Sequence, residues 1–191
     1  MSRAGWSLRR QVSAPEPPLR DEPLSSDRLE ERALALAATL TVDPNPRRLA
    51  LDNYPRFEDN VRVLRKTYRT FAEDVRLGEF VPAAAEWLLD NFHLIAAEIS
   101  DIRRNLPRTY SRTLPALASR EHNGCARVYA IAVELIRHSD SRLELPQLLQ
   151  FLNSYQRVAP LTIGELWAWP SMLKVALVEN LRRLAEELMT A

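Results

Sequence analysis

The stretch from Phe57 to Val75 limits the possible folds more than any other part of the chain. Phe57, Val61, Leu64, Tyr68, Phe71 and Val75 recur at steps of three and four, the repeat that puts apolar side chains along one side of an α-helix. Arg62, Arg65, Lys66 and Arg69 cover its other faces. Pro55 suits a first helical turn and Gly78 suits a stop, so the spacing predicts a helix from about 55 to 77. Related patterns predict helices from about Asp27, Pro82 to Asn105, Ala126 to His138, Pro146 to Val158, and from Thr162 onward. The first of these carries Glu30 three residues after Asp27 as a start signal, with Leu29, Ala33, Leu36 and Leu40 aligned behind it. Pro44 and Pro46 mark a turn, and RTYSRTLPALASREHNG a loop with one short helical turn. No segment sustains strand alternation, and four glycines in 191 residues leave little hairpin chemistry. The fold class is therefore all-α: a bundle of about six helices over residues 25–191. Residues 1–24, with Pro15, Pro17, Pro18 and Pro23, are expected to form a disordered or extended leader.

Composition narrows the function. Hydrophobic residues at 46% and charged residues at 27% describe an ordinary globular domain, long enough to bury a core. A net charge of +1 supplies no global field to draw in nucleic acid or an anionic membrane. Cys125 is the single cysteine, so no internal disulfide forms and a reducing compartment is expected. The segment MSRAGWSLRRQVSAPEPP lacks the apolar core of a secretory signal. No stretch approaches the ~20 apolar residues of a membrane span. The expected location is cytoplasmic.

The segment AEWLLDNFHLI holds the most suggestive polar residues. On a helix, Leu88, Phe92, Ile95, Ile99 and Ile102 share a stripe, widened by Trp87 and Leu94, with Glu86, Asp90 and His93 beside it. A carboxylate and an imidazole one turn apart resemble half of a bundle metal site, and Glu134 with His138 offers a counterpart. The spacings differ from the paired Glu-x-x-His pattern such sites use, so a metal set is the minor reading. His138 reads as a cap on exposed helix-end carbonyls, and Asp90 and Asn91 as groups bonding to a neighbouring helix or to the turn near RRNLPRTYSR. No cofactor or metal is expected.

The chain lacks a glycine-rich phosphate loop, a cysteine pair, a G-x-S-x-G nucleophile elbow and any Asp-x-Asp. Cys125 precedes a helix whose dipole could lower its pKa, although a small core or loop residue is the simpler reading. Arg103, Arg104, Arg108 and Arg112 with Tyr110 form a basic, aromatic loop that could grip a phosphate or a sugar, or simply face solvent. Thr162 and Glu165 have capping-box spacing. Pro170 predicts a kink, or two abutting helices, in the last segment. Trp167 and Trp169, two apart, point about 160° away from one another on a helix, so both cannot face one core. One is a candidate outside anchor or sugar-stacking platform. Leu173, Leu177, Leu181 and Leu184 form a stripe broadened by Met172, Val175 and Val178, more apolar girth than one side of packing covers.

Four blocks together carry a family resemblance: AAEWLLDNFHLI, IRRNLPRTYSRTLPALA, RVYAIAVELIRHSDSRL and APLTIGELWAWPSMLKVALVENLRRLA. In order and spacing they resemble the amino-terminal region of the cyclic β-1,2-glucan synthases, from about Leu24 to Glu187. The resemblance implies a piece of a large bacterial inner-membrane glycosyltransferase that builds cyclic glucan from UDP-glucose. Its transferase and phosphorylase-like parts have no counterpart in this sequence, so no catalytic residue carries over. The block residues that do carry over are Trp87, Asp90, Asn91, Phe92 and His93, then Glu165, Leu166 and Trp167, then Glu179, Asn180 and Arg182. The loop ASREHNGCARVY and the Trp169-Pro170 pair depart from the family pattern. With Arg104, Arg108, Tyr110 and Trp169, these residues are the candidates for contact with a partner or with glucan. The expected function is a non-catalytic helical module, a fragment or split-gene product, that organises or regulates the membrane-bound transferase. The implied partners are the remaining transferase portion at the inner face of the membrane, a β-glucan or a second copy, and not nucleic acid. A stand-alone helical interaction protein and a small helical metal-binding protein are the alternatives.

Overall fold

The computed structural model describes residues 16–43, 54–118, 125–140 and 142–190. The disorder expected of residues 1–15, the turn at Pro44 and Pro46, and the loop at 119–124 lie outside them. The described residues form seven helices: α1 (Ser26–Thr39), α2 (Tyr54–Leu77), α3 (Ala83–Asn105), α4 (Arg108–Ser111), α5 (Arg127–His138), α6 (Leu145–Gln156) and α7 (Ile163–Thr190). The extra helix relative to the expected six is the single turn of α4 in the basic loop. Among the described residues there is no strand, only isolated bridges joining Val42 to Leu117 and Ala116 to Ala126.

The bundle is organised around α7, on which α2, α3 and α5 all pack, while α1 and α6 pack on each other and α1 touches α5. Hydrophobic spacing explains why. Phe57, Val61, Leu64 and Phe71 of α2 and Leu88, Ile99 and Ile102 of α3 are buried in a core shared with Ile131, Leu135 and Ile136 of α5 and Met172 and Ala176 of α7. Phe92 is half-buried and stacks on Tyr68, ring centroids 4.2 Å apart, which fastens α2 to α3. Gly78, at φ 77°, takes the left-handed conformation that ends α2 with little steric cost.

Several expectations need correction. Val75, at the end of the α2 stripe, and Trp87 and Leu94, beside the α3 stripe, are exposed rather than part of the core. The first helix begins at Ser26 after an extended Ser25 that makes no side-chain cap, so Asp27 lies within the first turn instead of capping it. Of the two outcomes expected at Pro170, the pair of abutting helices is not found: α7 is one continuous helix with Pro170 at an exposed position inside it. Part of the leader is ordered against the bundle. Residues 16–24 run extended, with Leu19 buried and its amide donating to Asn180 Oδ1 at 2.6 Å.

Candidate functional site

Helix α7 sets charged and polar residues among the apolar side chains of its inward face. The predicted capping box is present: the Thr162 amide donates to Glu165 Oε2 at 2.9 Å, and the Glu165 amide donates to Thr162 Oγ1 at 3.2 Å. Glu165 is 0% exposed. Arg127, the first residue of α5, meets it through both oxygens, at 2.8 and 2.6 Å, and donates to the Pro160 carbonyl at 3.0 Å. Such a bidentate pair answers the large desolvation cost of a buried carboxylate. Sequence reasoning missed Arg127; its only signal is an arginine heading the otherwise apolar run RVYAIAVELI.

Four turns along, Glu179 accepts from Arg56 at 2.6 and 2.8 Å, from Tyr129 at 2.5 Å and from Arg183 at 2.5 Å. Burial alone would raise its carboxyl, but the hydrogen bonds from Arg56, Tyr129 and Arg183 outweigh it and hold the group at about 2. Burial first, then the Glu179 charge, pushes the Tyr129 hydroxyl far above its usual range. Arg182 donates to Asn60 at 3.1 Å and to Glu186 and Glu16 at 2.5 Å each. Glu165, Glu179, Asn180 and Arg182 are thus buried and engaged within the bundle.

The opposite side of α7 carries further apolar residues, several of them exposed. Ile163, Leu166, Trp167, Pro170, Lys174, Leu177, Leu181, Leu184 and Leu188 follow steps of one, three and four on one side of the helix. Trp167 is 79% exposed, whereas Trp169 is 9% exposed and packed in the core, the divergence that the two-residue spacing predicts. Lys174 ties this face to α3, reaching Glu98 at 2.7 Å and Asp101 at 2.6 Å. Beyond α3, Tyr110 donates to the Gly164 carbonyl at 2.5 Å, so the chain around α3 and α4 runs antiparallel to α7. Equal rise per residue then sets Leu94 abreast of Leu177 and Leu181, and Trp87 abreast of Leu184 and Leu188. Trp87 and Leu94 are both 55% exposed. The α3–α7 seam therefore shows exposed apolar residues in two groups, Ile163, Leu166 and Trp167 toward one end and Trp87, Leu94 and Leu184 toward the other, with the Lys174 ion pairs between them.

The other candidate residues are dispersed. Asp90 and His93 are exposed, His93 Nδ1 lying 3.0 Å from the Asp90 carbonyl. Asn91 donates to the Trp87 carbonyl at 2.8 Å, within its own helix rather than to a neighbour. Glu134 is engaged by Arg32 at 2.5 Å, and His138 sits 3.3 Å from it. Since α7 lies between α3 and α5, the Glu86, Asp90 and His93 set and the Glu134 and His138 pair do not converge, and no metal-holding cluster exists among the described residues. The basic loop is not one patch: Arg103 turns to Glu58 of α2 at 2.6 Å, while Arg104 and Arg108 are exposed. Burial pushes the Cys125 thiol up to about 11, opposite to the lowering that a helix start would give.

The described residues thus form an ion-paired helical bundle with exposed apolar side chains on α3 and α7. No family model matches the chain. Comparison with curated proteins nevertheless places it: it carries a region of the cyclic β-1,2-glucan synthase family. It is 38% identical over 130 residues, 68% of its length, to the cyclic β-(1,2)-glucan synthase NdvB of Rhizobium meliloti (strain 1021). The match takes in only 5% of that much longer protein. No helix among the described residues is long and apolar enough to cross a membrane.

Proposed function

We propose that this chain is a non-catalytic helical module of a cyclic β-1,2-glucan synthase-type glycosyltransferase. It works on the cytoplasmic side, organising or regulating the membrane-bound transferase portion through the α3–α7 seam. The observation that carries this reading is the exposure of Trp167, Ile163 and Leu184 on α7 and of Trp87 and Leu94 on the neighbouring α3. Tryptophan is enriched among the residues that anchor protein contacts. The polar residues that family resemblance singles out on α7, Glu165, Glu179, Asn180 and Arg182, hold the seam's backbone in place, while Trp87 and Trp167 meet the partner.

The test is co-expression of the chain with the membrane-embedded transferase portion of such a synthase, followed by purification through the membrane part. The chain should co-purify, and the isolated chain should transfer no glucose from UDP-glucose. Transfer by the chain alone would overturn the reading. A second reading rests on Trp167, which is exposed enough to stack on a sugar ring. Calorimetric titration with linear and cyclic β-1,2-glucans, beside Trp167→Ala, separates glucan contact from protein contact.

A further inference from the structure

Residues 16–24, EPPLRDEPL, lie across the bundle in the manner of a bound peptide. Leu19 is buried, Glu16, Pro18 and Leu24 are half-buried, and the other five side chains are exposed. The backbone is held throughout. The Leu19 amide donates to Asn180 Oδ1 at 2.6 Å, and the Pro17 carbonyl accepts from Arg183 at 2.8 Å. The Asp21 and Leu24 amides donate to the Arg137 and His138 carbonyls at 2.9 and 3.0 Å, carbonyls that the end of α5 leaves without helical donors. His138 Nδ1 lies 3.2 Å from the Glu22 carbonyl. At the head of the segment, Glu16 Oε2 meets Arg182 at 2.5 Å and Arg56 at 2.9 Å, with Arg183 at 3.6 Å.

The receiving surface is complete without the segment, since its donors and acceptors all belong to α2, α5 and α7. Its charge balance is not. Arg56, Arg182 and Arg183 face Glu179 and Glu186 from the bundle, and Glu16 brings the third carboxylate. The buried Asn60 Nδ2 and Arg183 Nε in the same cluster have no acceptor. The site therefore has donors to spare and wants an anion at one end and a leucine three residues further on.

We propose that the furrow formed by α2, α5 and α7 is a binding site for an extended peptide with a carboxylate at its head and a leucine three positions later, occupied here by the chain's own residues 16–24. Mostly backbone bonds and one apolar anchor hold that occupant, so it is exchangeable against a matching segment presented in trans. Its contribution to the hydrophobic cluster is Leu19, with Leu24 packed against the edge.

The experiment uses the full chain carrying Glu16→Arg and Leu19→Asp, which unseats the resident segment, and a fluorescent peptide of residues 16–24 as probe. The variant should keep its helical circular dichroism and bind the peptide saturably at one site. The unaltered chain, whose own segment competes at high effective concentration, should bind about tenfold more weakly or worse. A Glu16→Gln peptide should lose about tenfold in affinity, as expected for a charge-assisted contact. A folded variant that ignores the peptide, or equal binding to both chains, overturns the proposal. So does loss of the variant's fold, which would make residues 16–24 part of the core and not a ligand.

Discussion

The two sides of α7 differ in what they add to the usual amphipathic rule, in which charge faces water and apolar groups face the core. The inward side sets buried charges among its apolar core residues, and the outward side leaves several apolar side chains in water. Its inward side buries Glu165, Glu179, Asn180 and Arg182; its outward side shows Ile163, Trp167 and Leu184 to solvent. The inward charges all have counterparts at hydrogen-bond distance, so they fix which helices meet and in what register. The outward residues contribute nothing of comparable strength to the isolated bundle. One face specifies the fold, and the other is the one proposed to meet a partner.

If that contrast is right, disturbing the inward face is costly and disturbing the outward face is nearly free. Arg127→Leu strands Glu165 as an uncompensated buried carboxylate and should destabilise the chain by about 3–5 kcal/mol in chemical denaturation. The double replacement Arg127→Leu with Glu165→Leu should recover most of that loss, because a well-packed apolar pair rivals a buried ion pair. A double variant as unstable as the single would show that the pair is worth more than its geometry suggests.

Leu88→Ala, at a fully buried position of α3, should cost about 2–5 kcal/mol. Phe92→Ala should cost less, since Phe92 is only half-buried against Tyr68. Acid tests the second charge cluster. Glu179 ionises at about 2 in the fold, below its ordinary 4.5, so its contribution is complete above that ordinary value and is lost as pH falls toward 2. Denaturation midpoints followed from pH 5 downward should decline, and Glu179→Gln should lessen the decline; an unchanged slope would remove Glu179 from the account.

Thr162→Ala deletes one capping bond and should cost about 1 kcal/mol, read as a lower melting temperature. Trp167→Ala should sit at the bottom of the scale, within about 0.5 kcal/mol of the parent. A large loss there would mean that the outward face stabilises the bundle itself.

Much of this was legible in the sequence. Helical spacing places α2 and α3 almost to the residue, the capping box at Thr162 and Glu165 is a local signal, and the separation of Trp167 from Trp169 follows from helical pitch. Long-range pairings were not legible. Arg127 and Glu165 are 38 positions apart, and nothing local distinguishes that arginine from the many on the surface. Trp87 and Leu94 read as broadening a core stripe because periodicity places residues on a face without saying whether another element covers it. The prolines of residues 16–24 suggest a chain unable to form a helix, which is correct. They are silent on the carbonyls of α5 that accept its backbone amides.

We propose the α3–α7 seam as the contact face. Photo-cross-linking tests it most directly, with a photoreactive residue placed in turn at Leu184, at Trp167 and, as a control, at Arg65 on the exposed outer side of α2. The chain is co-expressed with the membrane-embedded transferase portion of a cyclic glucan synthase. Cross-links to that portion from Leu184 and Trp167, with none from Arg65, are the predicted result. Cross-links from Arg65 alone would contradict it.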